Sequence, residues 1–121
     1  MEKHGEMTCY WEADLLTVEA KGPFNEEGLN YACTQVKQAI LNSGFKRWRR
    51  LEVLDEKTMG SPAVLDIVND LYAWYDQNGC YLAAVVVKNK IQEHAVAEVF
   101  KSPTVKIFNS LLDAINWVNQ Q

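Results

Sequence analysis

Short apolar runs at a period of two open the chain. Met7-Thr8-Cys9-Tyr10-Trp11 and Leu15 to Ala20 are separated by Glu12-Ala13-Asp14, a spacing that predicts an antiparallel hairpin. In the second run Leu16, Val18 and Ala20 alternate with Thr17, Glu19 and Lys21, so one face meets the core and the other meets water. Gly22-Pro23 ends the strand. From Asn25, a helix N-cap, the period lengthens. Leu29, Ala32, Cys33, Val36 and Ile40 form a helical stripe, Glu26 and Glu27 complement the first turn, and Asn42-Ser43-Gly44 is the stop. Arg49 to Asp55 predicts a third strand and Lys57-Thr58-Met59-Gly60 a short loop. Ser61 as N-cap and Pro62 at the first helical position start a second helix, buried through Val64, Leu65, Val68, Leu71, Tyr72 and Tyr75. Gly79 stops it. Cys80 to Val87 is apolar on both parities, as in a strand covered on both faces. Asn89 caps a third helix containing Ile91, Ala95, Val96 and Val99, and Ser102-Pro103 separates it from a fifth strand, Val105 to Phe108. Ser110 caps the last helix, with Leu111, Leu112, Ala114, Ile115 and Val118 as its stripe.

The order ββαβαβαβα predicts an α/β fold in one domain spanning residues 1–121. Its mixed five-stranded sheet has an antiparallel first strand, four parallel strands joined by right-handed crossovers, and four helices. Such crossovers put the helices mainly on one face, yet Cys80 to Val87 asks for cover on both. Helices that change sides, Tyr10 and Trp11 of the hairpin, or a second copy of the chain would each supply that cover. The last option predicts a homodimer.

The apolar share of 48% and the charged share of 23% are those of a globular protein and leave no ground for disorder. Lys and Arg number 12 against 16 Asp and Glu, so the net charge of −4 has the wrong sign for binding nucleic acid or an anionic membrane by bulk charge. The longest apolar run is far below the ~20 residues of a membrane span, and the first residues lack the apolar core of a signal peptide. A cytoplasmic chain without membrane insertion is expected. Cys9, Cys33 and Cys80 are odd in number and widely spaced, which predicts buried free thiols rather than a disulfide framework or zinc site. His4 and His94 stand ninety positions apart, so a cysteine–histidine nucleophile or histidine metal site lacks raw material. Neither metal nor cofactor is expected.

Leu51-Glu-Val-Leu-Asp55, leading through a short loop into a helix within this element order, resembles the STAS domain, the fold of bacterial anti-sigma factor antagonists. The ending, Val105-Lys-Ile-Phe-Asn-Ser110 followed by Ala114-Ile-Asn-Trp117, resembles the SpoIIAA-like (STAS/SEC14-type) family. The resemblance implies a non-enzymatic regulatory or protein-interaction module. Its SEC14 side implies the alternative, a binder of a small apolar or lipid-like ligand. In the antagonists an Asp-Ser-Ser/Thr-Gly motif before the second helix carries the phosphorylated hydroxyl. Here Gly60 stands at the Asp position, Pro62 at the acceptor and Ala63 at the Gly, leaving Ser61 as the retained hydroxyl, so the phosphorylation switch does not carry over.

The candidate binding positions are Asp55, Thr58, Gly60, Ser61 and Trp74. Gly60 and Ser61 begin a helix whose first amides suit an anion, although a Ser before Pro is also simply an N-cap. Asp55 lies at the carboxyl end of a parallel strand, where open α/β sheets place ligands, but no acid–base partner is evident and a turn role competes. Tyr72, Trp74, Tyr75 and Tyr81 concentrate aromatic area that would line an apolar pocket or pack in the core, with Trp74 off the helix stripe. Lys46-Arg47-Trp48-Arg49-Arg50 is a dense basic cluster, read as a solvated helix-to-strand connection in preference to a nucleic-acid site.

Overall fold

The computed structural model describes residues 2–58 and 60–121; Met59, in the predicted loop, and Met1 lie outside the described residues. The elements are β1 (Glu6–Glu12), β2 (Leu15–Lys21), α1 (Glu26–Ser43), β3 (Trp48–Leu54), α2 (Pro62–Gln77), β4 (Cys80–Val86), α3 (Lys90–His94) continued by a π turn (Ala95–Val99), β5 (Val105–Phe108) and α4 (Leu111–Asn119). The strands lie in the order β1-β2-β3-β4-β5, with β1 antiparallel to β2 and the others parallel, as the sequence predicts.

Each parallel crossover advances by one strand in the same direction, so α1, α2 and the α3 segment gather on one face. There Leu16 and Val18 of β2 meet Leu29, Val36 and Ile40 of α1, Val68 and Leu71 of α2, and Val96 and Phe100. After β5 the chain turns α4 back over the other face, where Ala114 and Val118 meet Leu15, Leu51, Ala84 and Val86. Ala83, Ala84, Val85 and Val86 are fully buried as a result. The second face of β4 is therefore covered by α4, and the strand pattern does not need a second copy to explain it.

All four predicted N-caps form. Asn25, Ser61, Asn89 and Ser110 each accept, on a side-chain oxygen, the backbone N–H three residues on: Gly28, Val64, Gln92 and Asp113. Gly44 ends α1 at φ 78°, where a side chain would be strained.

Three expectations change. Ile91 is 74% exposed and the α-helix there lasts one turn before the π turn, because Gln92 turns inward and is buried instead. Leu111 and Leu112, in the first turn of α4, also stand in water: the helix packs on the sheet through Ala114 and Val118, with Ile115 and Trp117 beside them. Cys33 and Cys80 are buried free thiols, but Cys9 is half-buried, since it faces the core from the edge strand β1, where α1 covers it only in part.

The basic segment is corrected most. β3 sends Trp48 and Arg50 into the core, both fully buried, so it is not a wholly solvated connection. Arg50 Nε approaches Glu52 Oε1 at 3.1 Å, its Nη1 donates to Cys80 Sγ at 3.4 Å, and its guanidinium lies over the rings of Tyr72 and Tyr75 at 4.8 and 4.1 Å. Tyr72 donates its hydroxyl to Glu52 Oε2. Burial works against the Arg50 charge, but electrostatic attraction to the groups packed around it, Cys80, Glu52 and the two tyrosines, outweighs burial and holds its pKa above the ordinary guanidinium value. On the opposite face Arg49 binds Asp14 through Nε and Nη2 at 3.1 and 2.8 Å and donates Nη1 to the Val118 carbonyl at 2.7 Å, tying the hairpin turn to the end of α4.

Candidate functional site

The parallel strands end together, and α1, α2, α3 and α4 all start from that carboxyl edge. Asp55 follows β3 there. Its Oδ1 accepts from Gly22 N–H at 3.1 Å, Lys57 N–H at 3.1 Å and the Thr58 hydroxyl at 2.7 Å. Thr58 is buried; its hydroxyl also lies 3.2 Å from the Ala20 carbonyl and accepts from Asp55 N–H at 3.2 Å. Asp55 and Thr58 thus lock the exit of β3 onto the exit of β2. Burial alone would raise the Asp55 pKa, and the donors from Gly22, Thr58 and Lys57 outweigh it, so the carboxyl sits below its ordinary value.

A second lock was missed in the sequence. Gln92 spans two loops, donating Nε2 to the Asp55 carbonyl at 2.5 Å and accepting Lys88 N–H on Oε1 at 2.7 Å. Asn89 adds a bond from Nδ2 to the Glu56 carbonyl at 3.2 Å. The only sequence signal for Gln92 is its position three residues after the Asn89 cap, which fixes its backbone but leaves its side chain undirected.

Ser61 caps α2, its Oγ accepting Val64 N–H at 3.4 Å, and Gly60 before it is exposed. A Cβ at Gly60 would meet no protein atom closer than 3.9 Å, so packing within the chain does not require glycine there. Beside Ser61 an open cleft of about 470 Å³ is lined by Phe24, Asn25, Glu26, Glu27 and Val64. Two helix starts face this cleft, but the two glutamates place negative charge at its mouth and oppose a free anion.

Trp74 stands apart. It lies thirteen residues further along α2 than Ser61, about 20 Å at 1.5 Å per residue. It packs edge-on against Tyr75 at 6.2 Å with the Lys37 ammonium over its ring at 5.4 Å. Tyr72 and Tyr75 are buried around Arg50, and Tyr81 bonds Asp14 at the opposite edge. The aromatic residues therefore line no common pocket. A nearly closed apolar cavity between Phe24, Leu29, Leu71 and Tyr72 measures about 10 Å³, at the limit for one water.

Apolar side chains stand exposed around the edge. Ile91 sits at the second position of α3 and Leu112, 66% exposed, at the second position of α4. They flank the ends of the neighbouring strands β4 and β5, with a cleft of about 260 Å³ lined by Val87, Lys88, Asn89, Lys90, Glu93 and Asn109 between the two loops. Among the described residues no group of His, Cys, Asp and Glu is placed to hold a metal ion, and no helix is long and apolar enough to cross a membrane.

One prediction follows from the Asp55 lock. The folded pKa is lower than the unfolded one, so its stabilisation is present above the ordinary carboxylate value of about 3.9 and is lost as pH falls through the lower folded value. Asp55→Ala should cost about 1–3 kcal/mol at neutral pH and should flatten the loss of stability below pH ~4. Urea midpoints measured against pH check both.

No family model matches the chain, and no curated protein matches it. Solved structures do. The NMR structure of the protein TM1081 superposes with a TM-score of 0.68 at 17% identity, covering 100% of this chain and 94% of that one. An uncharacterised protein of the DUF3478 family with a SpoIIAA-like fold, from Shewanella loihica PV-4, superposes with a TM-score of 0.66 at 18% identity, covering 97% and 95%. The chain has a SpoIIAA-like fold, as its element order and closing motif predict. At these identities the likeness is one of fold.

Proposed function

We propose that this chain is a non-enzymatic regulatory module of the STAS-like kind that acts in the cytoplasm by binding a protein through the carboxyl edge of its sheet. One observation carries the reading: polar side chains at that edge are engaged in holding loops, while apolar ones are left in water. Asp55 Oδ1, Thr58 and both ends of Gln92 are bonded within the chain. Ile91 and Leu112 cover nothing. Exposed aliphatic side chains beside a cleft, with Lys88 and Lys90 at its rim, suit the apolar centre and polar rim of a protein contact. In this reading Gly60 and Ser61 border the contact, and the Ser61 hydroxyl serves as a cap rather than a phosphorylation switch. Trp74, on the far part of α2, lies outside it.

The alternative is an apolar or lipid-like ligand, which needs a pocket of ~300 Å³ or more with apolar walls. The chain purified from its native source, extracted and analysed by mass spectrometry, should yield no stoichiometric apolar molecule, and the tagged chain should retain a protein in stoichiometric amount. A stoichiometric apolar cargo would overturn the reading.

A further inference from the structure

At the opposite, amino edge of the sheet the α1–β3 connection displays Phe45, Lys46 and Arg47, and we propose that it is a second docking surface, one that binds an acidic segment of a protein partner. Four cations enter this edge between positions 46 and 50. Arg50 is buried against Glu52 and Arg49 is committed to Asp14. Lys46 and Arg47 remain exposed, and among the described residues neither makes an ion pair, not even with Glu12, which is exposed at the same edge. In a chain of net charge −4 these are cations without a carboxylate of their own.

Apolar area lies beside them. Leu41 in the last turn of α1 is exposed, as are Phe45, tilted against Trp11 at 5.0 Å between ring centres, and Tyr81, with the Arg47 guanidinium 4.6 Å above its ring. The surface is also held in shape. Trp48 donates its backbone N–H to the Gly79 carbonyl and its indole N–H to the Asn78 carbonyl, both at 2.9 Å, and the Lys46 carbonyl lies so close to Gly79 that a Cβ there would come within 2.1 Å. Little ordering is left for a partner to impose on the connection. Carboxylates meeting Lys46 and Arg47, with aliphatic or aromatic side chains against Leu41, Phe45 and Tyr81, complement both features. A nucleic acid fits less well, because two free cations neutralise too few phosphates to hold a strand against the charge of the whole chain.

This surface does not depend on the carboxyl edge, and the test leaves Ile91 and Leu112 untouched. The probe is a short peptide of alternating glutamate and leucine, titrated into the isotope-labelled chain and followed by amide chemical shifts. Lysine–leucine peptide and oligothymidylate serve as comparisons. Shifts should centre on Leu41, Phe45, Lys46, Arg47 and Tyr81 and weaken as salt rises. Lys46→Glu with Arg47→Glu should lower affinity about tenfold or more without changing the melting temperature, and Arg47→Gln should fall between. Shifts scattered elsewhere, unchanged affinity in the charge-reversed variant, or preferential binding of oligothymidylate would each overturn the proposal.

Discussion

Glu52→Leu, with Arg50 left in place, should lower the unfolding free energy by about 3–5 kcal/mol, a large part of the 5–15 kcal/mol typical of a domain. Arg50 is fully buried among the rings of Tyr72 and Tyr75, and Glu52 is the carboxylate that faces it. Removing that carboxylate leaves a cation without a counter-charge and strips the Tyr72 hydroxyl of its acceptor. Removing the whole polar set is a different case. Arg50→Met with Glu52→Leu and Tyr72→Phe replaces the ion pair by side chains of similar volume, and stability should return to within about 1–2 kcal/mol of the parent or exceed it. Urea unfolding of the three proteins, parent, single variant and triple variant, gives the answer. A Glu52→Leu variant as stable as the parent would contradict the burial of the pair.

Trp48→Ala should cost about 3–5 kcal/mol. The indole is fully buried and stands edge-on to Trp11 at 5.9 Å and to Tyr75 at 5.7 Å, joining the hairpin to α2 across the sheet. Its N–H also satisfies the carbonyl of Asn78, at the end of α2. Trp48→Phe keeps most of the packing and loses that donor, so it should cost about 1–3 kcal/mol. Thermal melts followed by circular dichroism separate the two. Equal losses in both variants would mean that the hydrogen bond rather than the packing carries the effect.

The contrast between Trp48 and its basic neighbours shows what the sequence makes legible. The strands, α1 and α2 follow from local periodicity, and the four caps follow from single side chains placed before apolar runs. Arg50 and Glu52 were legible in part. They stand two apart in a strand and so share a face with Trp48 and Leu54, whose apolar side chains mark it as the inward one. Density of charge in the one-dimensional sequence hid this, because four cations in five residues read as solvated until the sheet assigns their sides. Ile91, Leu111 and Leu112 failed for another reason. Periodicity identifies an apolar residue but not whether another element covers it, and at the starts of α3 and α4 these side chains are left exposed. Of the candidate site, Asp55, Thr58, Gly60 and Ser61 do gather at one edge. Trp74 does not, because separation along α2 outweighs aromatic character. Gln92 depends on a bond across 37 positions, which no local pattern encodes.

In the proposed function the polar groups of the carboxyl edge maintain the fold while its exposed apolar groups bind a partner. The direct test is to measure partner affinity and melting temperature together in Asp55→Ala and in the pair Ile91→Asp with Leu112→Asp. Asp at either second helical position is exposed and suits the helix dipole, so the pair should melt like the parent and lose about a hundredfold in affinity for the captured partner. Asp55→Ala should melt lower and, below its melting range, bind like the parent. The opposite pattern, with binding lost in the folded Asp55→Ala protein and kept in the Ile91 and Leu112 pair, would contradict the account.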